Sequence, residues 1–324
     1  MTPELHVVSI PLRVPFRGVT VREAVLLSGP AGWGEFSPFL EYDDVEAARW
    51  LASALACAAE PWPAPLRDSV PVNATVPAVP AAEVPSVLDR FPGCTTAKVK
   101  VAQAGQTLAD DVERVAAVRD VLGATGRVRV DANAAWSLDD AVHAVPALAP
   151  FGLEYVEQPC ASVEDLARLR VALARAGTEV LVAADESVRK ASDPLRVARA
   201  GAVDVMVLKV APLGGVAAAL AIAQECGLPV VVSSALDTSV GISAGIALAA
   251  ALPELPYACG LATTSLMAAD VGWPSLDGHG GSIAVGRFTP EPSLLAELAA
   301  PDDRQQWWRA RVERCGALLR ASAP

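Results

Sequence analysis

The chain has 324 residues, 52% hydrophobic and 19% charged, with 37 acidic against 26 basic side chains and a formal charge of −11. That composition excludes a disordered chain, and the acidic balance without a basic run excludes an electrostatic footprint for nucleic acid or anionic lipid. No apolar run reaches the roughly 20 residues of a membrane-spanning helix, and the opening MTPELHVVSI has no charged stretch followed by an apolar one, so a cytoplasmic protein without membrane partners is expected.

Residues 1–90 carry strand-like stretches (ELHVVSIPL, VREAVLLSG), a helical run from Asp43 into EAARWLASALACA, and the proline-rich EPWPAPLRDSVP. They read as a small α+β domain ending in a linker. Over 91–285, short β-branched runs alternate with helical segments, as in parallel strands joined by crossover helices. The strand candidates are AKVKVA, RVRVDAN, LEYVEQP, VLVAADES, VDVMVLKV, PVVVSSA and PYACGLA. Ser137 to Asp140 and Ser162 to Asp165 resemble capping boxes with Asp in the Glu position, and Gly123, Gly177 and Gly227 mark helix ends. An open doubly wound sheet gives the same alternation as a closed barrel, so periodicity alone leaves both open. The tail, 286–324, ends in RQQWWRARVERCGALL, where Trp307, Val312 and Leu318 are expected to line an amphipathic helix packed back on the N-terminal domain.

The six cysteines form no C-x-x-C pair, and His6, His143 and His279 are too scattered for a ligand spacing. A metal in this chain is therefore held by oxygen. Nothing in the sequence fixes the number of subunits.

Side chains alternate along a strand, so Asp131 shares a face with Arg127 and Arg129, Glu157 with Tyr155, and Asp185 with Ala183. Taken singly, each carboxylate reads as a solvated turn residue. Together they close three consecutive strands at the C-terminal end, where barrel active sites are assembled. Three carboxylates on one rim repel unless a cation lies among them, and a hard divalent ion, Mg2+ above all, accepts such ligands. The preceding strand carries Lys98 and Lys100 and the following one Lys209. An exposed edge strand also explains KVKV in isolation. A central parallel strand is covered on both faces, however, and a lysine there faces a cavity or a partner.

The set KVK, DAN, EQP, DES and Lys209, in this order, resembles the enolase superfamily, in its muconate-lactonizing subgroup. The resemblance covers residues 96–265 closely and the rest by layout. It implies an α/β fold: a modified TIM barrel, (β/α)7β, with an α+β capping domain. It also implies Asp131, Glu157 and Asp185 as ligands of Mg2+, with Mn2+ as a substitute, and Lys100 and Lys209 as acid/base groups on either side of a small carboxylate substrate. Lys98 would tune and orient Lys100, because a neighbouring ammonium lowers a lysine pKa.

Within the subgroup no His lies between His143 and His279, unlike mandelate-racemase-type members, and GLATTS stands where dipeptide epimerases carry Asp-x-Asp. Arg129 two positions before Asp131, together with SSALDTSVG, resembles a dehydratase. Ser233, Ser234 and the N–H groups of a following helix start would receive a second substrate carboxylate, though plain helix capping explains these serines equally. Phe16, Arg17, Thr20, Phe39 and Leu40 fall on the two loops that close such sites. The expected activity is a Mg2+-dependent lyase. Racemisation of N-succinylamino acids by the same two lysines is the alternative, and a non-catalytic barrel is the remaining class.

Overall fold

Strands that are apolar on one side need a layer to cover that side, and the N-terminal stretches find it in a helix. In the computed structural model, which describes residues 4–190 and 192–322, β1 (Leu5–Phe16), β2 (Val19–Gly29) and β3 (Gly32–Phe36) form an antiparallel sheet in that order. α1 (Asp44–Ala59) is capped by Asp43, whose carboxylate accepts the Glu46 N–H at 2.8 Å. It lies so close to β3 that a Cβ on Gly34 would overlap the Ala54 carbonyl.

β4 (Ser69–Pro71) leads into the main sheet, whose strands are β5 (Ala74–Val76), β6 (Thr96–Lys100), β7 (Arg127–Asp131), β8 (Leu153–Glu157), β9 (Leu181–Ala184), β10 (Val205–Leu208) and β11 (Val230–Val232). They are parallel and paired in chain order. The helices between them are α2 (Val84–Leu88), α3 (Leu108–Leu122), α4 (Leu138–Leu148), α5 (Val163–Arg175), α6 (Glu186–Arg189), α7 (Arg196–Arg199) and α8 (Val216–Cys226). α9 (Ser239–Ala251) follows β11. Full capping boxes start α3, at Thr107 and Asp110, and α4, at Ser137 and Asp140. Ser162 caps α5.

The ring closes differently from the sequence expectation. PYACGLA forms single parallel bridges, Val72 to Cys259 and Ser233 to Gly260, and these join the two ends of the sheet. A Cβ on Gly260 would stand 2.5 Å from Ser233 Oγ, which keeps that crossing for glycine. The first strand is β5, inside the stretch that the sequence assigns to the capping domain and its linker.

Alternation sorts the strand residues into two sets. Tyr155, Ala183, Val205, Val207 and Val231 meet Tyr257 inside the barrel, while Val128, Val130, Val156, Val182, Met206 and Leu208 face the helices. α9 is buried on nearly every side; an all-apolar helix of this kind is stable only between two layers, here the barrel and β3. β12 (Ser282–Ala284) pairs with β4. α10 (Pro292–Glu297) and α11 (Asp302–Ala321) complete the chain, and α11 packs against α1. The fully buried residues of α11 are Trp308, Arg311 and Cys315, and the expected Trp307, Val312 and Leu318 are half-buried beside them and pack on the core. Arg311 is among the fully buried ones because its guanidinium donates to the Tyr42 carbonyl at 2.5 Å. Among the described residues, no helix is long and apolar enough to cross a membrane.

Candidate active site

Pairing register decides which side chains share a layer. Lys98 stands opposite Arg129, Lys100 opposite Asp131, and Asp131 opposite Glu157. Asp185 follows the last residue of β9 and Lys209 the last residue of β10. Glu157 in turn stands opposite Ala183, so Asp185 lies two residues further along the chain. Lys100, Asp131, Glu157, Asp185 and Lys209 all come to the C-terminal mouth, with Lys98, Arg129 and Tyr155 one layer below the first three. In a ring of seven strands closed by 259–260, three strand positions separate β6 from β10 on either side. Lys100 and Lys209 thus come from opposite walls.

The charges are ion-paired throughout. Lys100 Nζ lies 2.5 Å from Asp131 Oδ2 and 2.8 Å from Asn133 Oδ1. Lys98 Nζ lies 2.8 Å from Glu157 Oε1 and 3.3 Å from Asp131 Oδ2. Lys209 Nζ lies 2.7 Å from Asp185 Oδ2, and Arg189 Nε donates to Asp185 Oδ1 at 3.0 Å. Glu157 Oε2 is buried with no hydrogen-bond partner.

Burial alone would raise every carboxyl here. At Asp131 it is outweighed by Lys100 and Lys98, which hold the group well below the usual range. At Asp185, Lys209 and Arg189 outweigh it and the carboxyl falls to about 2. Glu157 is pushed up to about 7 by burial and by Asp131, against Lys98. Burial lowers Lys100, and the Lys98 ammonium adds to that, against Asp131. Lys98 itself rises, because Glu157 and Asp131 overcome its burial.

Among the described residues, no three His, Cys, Asp or Glu side chains are gathered into a ready cage for a cation; Asp131, Glu157 and Asp185 are turned to ammonium and guanidinium groups. Their chemistry nevertheless fits a hard divalent ion: three carboxylates on adjacent strands supply only oxygen donors, and Glu157 Oε2 is a buried donor atom without a partner.

The expected substrate contacts divide. Phe16 lies with its ring 5.1 Å from Lys100 Nζ, and Arg17 Nη1 is 3.9 Å from Glu186 Oε1, so both reach the mouth. Thr20, Phe39 and Leu40 instead line a cavity of about 350 Å³ with Glu23, Arg304 and Trp308, none of its lining residues belonging to the barrel. Arg129 is not at the mouth. It is fully buried in the lower layer, donating to Glu154 Oε2 at 2.5 Å and the Ala258 carbonyl at 2.7 Å, between the rings of Tyr155 and Tyr257.

Ser233 and Ser234 are buried, and Ser234 Oγ donates to the Gly260 carbonyl at 2.8 Å. They do not open a helix: α9 starts at Ser239, capped by Thr238. Its N-terminal amides are taken by Glu35 from β3, which accepts from Thr238 N–H at 3.1 Å and Gly241 N–H at 3.0 Å. That helix end therefore meets a carboxylate of the chain itself.

Four polar residues missing from the sequence expectation, Asn133, Gln158, Glu186 and Arg189, hold the mouth together. Asn133, at φ 46°, receives Lys100. Gln158 Oε1 accepts the Asp185 and Ser187 N–H groups, both at 3.0 Å. Glu186 Oε1 accepts from Asn133 at 3.3 Å and from Arg189 at 2.8 Å. The second letters of EQP and DES were the available signal; for Asn133 it was the third letter of DAN, and Arg189 had none.

Residues 84–290 match the family model described as enolase C-terminal domain-like, and 7–58 match the one described as enolase N-terminal domain-like. The chain is 60% identical over 316 residues to the o-succinylbenzoate synthase of Mycolicibacterium smegmatis, covering 97% of this chain and 96% of that protein. It is 56% identical to the o-succinylbenzoate synthase of Mycobacterium marinum, covering 97% and 94%. Among solved structures, muconate lactonizing enzyme from Pseudomonas fluorescens superposes with a TM-score of 0.78 at 22% identity, over 92% of this chain and 98% of that one. A dipeptide epimerase from Enterococcus faecalis gives 0.71 at 20% identity, over 88% and 96%. At such identities these two likenesses speak for the fold.

Proposed function

The chain belongs to the o-succinylbenzoate synthase family of the enolase superfamily, and from that premise we propose that it removes water from 2-succinyl-6-hydroxy-2,4-cyclohexadiene-1-carboxylate to give o-succinylbenzoate, a step of menaquinone biosynthesis in the cytoplasm. It is a lyase on a (β/α)7β barrel with a capping domain. The carrying observation is the pair of lysines on opposite walls of one carboxylate ring, Lys100 on Asp131 at 2.5 Å and Lys209 on Asp185 at 2.7 Å.

Asp131, Glu157 and Asp185 would hold Mg2+, or Mn2+ in its place. When bound, the ion supplies positive charge for the oxyanion that develops as the proton α to the substrate carboxylate is removed. Lys100 takes that proton. To do so it must be neutral, and burial with the Lys98 ammonium pushes it that way, with Asp131 opposing. The same Nζ then returns the proton to the departing hydroxide, so abstraction and loss occur on one face. Lys209 faces the opposite side of the substrate ring and stabilises the enediolate by its charge. Phe16 covers Lys100 and keeps water from it.

The opposed lysines also favour a second reading, racemisation of N-succinylamino acids, in which each lysine exchanges a proton on its own side. The deciding experiment supplies purified protein and Mg2+ with the cyclohexadiene substrate and, separately, with N-succinylamino acids of each hand. Release of o-succinylbenzoate is expected; proton exchange at the amino acid without any dehydration would replace the first reading by the second.

A further inference from the structure

Arg189 is one turn past Asp185, so its side chain folds back over that carboxylate. Arg189 is buried, 3% exposed as a residue, and its guanidinium uses three arms in three directions. Nε donates to Asp185 Oδ1 at 3.0 Å, Nη1 to the Tyr42 hydroxyl at 2.7 Å and Nη2 to Glu186 Oε1 at 2.8 Å. Tyr42 belongs to the N-terminal segment between β3 and α1. Its ring is packed against Phe39 and Trp50, with centroids 5.5 and 6.1 Å away. Arg311 of α11 grips its carbonyl from the far side. No catalytic step above uses either residue.

We propose that Arg189 is a positioning residue that couples the seating of the Tyr42 segment to the orientation of Asp185; this rests on the reading of Asp185 as a cation ligand. Lys209 holds Asp185 Oδ2 and Arg189 holds Oδ1, so the carboxylate plane is fixed from two sides. A planar guanidinium cannot turn at one arm without turning at the others. Lifting the Tyr42 segment therefore either breaks the bond to Nη1 or swings the donor on Oδ1. The third arm extends the link: Glu186 Oε1 also accepts from Asn133, whose Oδ1 receives Lys100 Nζ. One guanidinium thus ties the capping segment to a ligand carboxylate and, through two residues, to the acid/base lysine. Coupling of this kind is reciprocal: an ion that fixes Asp185 also favours the seated segment.

The test uses the full chain without substrate and reads Mn2+ affinity by calorimetry and amide hydrogen exchange over residues 39–43 with and without Mn2+. Wild type should bind Mn2+ and slow exchange in that segment. Arg189→Lys keeps the charge but not the fork and should weaken Mn2+ binding by about 10–100-fold, the range for residues that orient ligands. Tyr42→Phe, almost isosteric, should weaken binding severalfold and lose the Mn2+-dependent slowing while remaining folded by circular dichroism. If Asp185→Asn loses Mn2+ but Arg189→Lys and Tyr42→Phe keep wild-type affinity and slowing, the ligand reading stands and the coupling is overturned. If wild type and Asp185→Asn behave alike towards Mn2+, the ligand reading falls and takes the coupling with it.

Discussion

Lys98 Nζ lies 2.8 Å from Glu157 Oε1, an ion pair that reaches from β6 past β7 to β8. Lys98 is thus the partner of the carboxylate that carries the least compensated charge of the ring. In Lys98→Met, Glu157 loses that partner and keeps its neighbour Asp131, so the carboxyl should rise further. Breaking a buried pair costs about 3–5 kcal/mol. With chelator present, urea unfolding should show a loss of that order, and turnover should fall at least about 100-fold because Lys100 loses the ammonium that lowers it. Wild-type stability and turnover together would remove Lys98 from the site.

Chelation should abolish turnover, and Mg2+ or Mn2+ should restore it, since the three carboxylates offer only oxygen donors. Glu157→Gln should resemble the chelated protein, because the amide removes one anionic donor while nearly keeping the shape. Full turnover by metal-stripped protein would sink the assignment of all three carboxylates.

The strands were legible in the sequence as β-branched runs, while their closure into a barrel was carried by the order of the KVK, DAN, EQP, DES and Lys209 motifs, and the shared face of the carboxylates and lysines was legible because side chains alternate along a strand. What escaped has physical causes. β5 has three residues between Asn73 and Pro77, too short for a period to show. The closing segment pairs only at Cys259 and Gly260, so its β-like run overstated a strand. Arg129 shares a face with Asp131, but the sequence does not say which layer it fills; Glu154, on the neighbouring strand beside Tyr155, draws it to the barrel floor. Ser233 and Ser234 precede a helix start by several residues, and the carboxylate that occupies that start comes from Glu35, about two hundred positions earlier.

Glu35 gives the pH dependence of stability. Burial pushes its carboxyl up to about 7 from 4.5, and Asp237 adds to the rise, against hydrogen bonds from Thr238 and Ser37 and the charge of Arg22. A carboxyl raised in the folded state favours the protonated form. Its contribution is therefore fully present below about pH 4.5 and is lost as pH rises through about 7. From pH 5 to pH 8 wild type should lose up to about 3 kcal/mol relative to Glu35→Gln, which does not titrate. Part of the slope should remain in the variant, because burial raises Asp237 as well. Urea unfolding of both proteins at the two pH values checks this, and parallel slopes would remove Glu35 as the source.

Lys209 separates the two chemistries that the opposed lysines allow. A syn elimination uses one base that later acts as acid, and that is the work assigned to Lys100; Lys209 then needs only its charge. Lys209→Arg keeps the charge, though the guanidinium does not reproduce the ammonium geometry at Asp185. It should retain measurable dehydration, reduced by about 10–100-fold for misplaced charge. Racemisation requires Lys209 to give up and take back a proton, which guanidinium does not do near neutral pH. The variant should therefore exchange solvent deuterium into at most one hand of an N-succinylamino acid, the hand that Lys100 serves. Racemisation that survives in Lys209→Arg would mean that the second base is not Lys209, and the placement of β6 and β10 on opposite walls would lose its catalytic meaning.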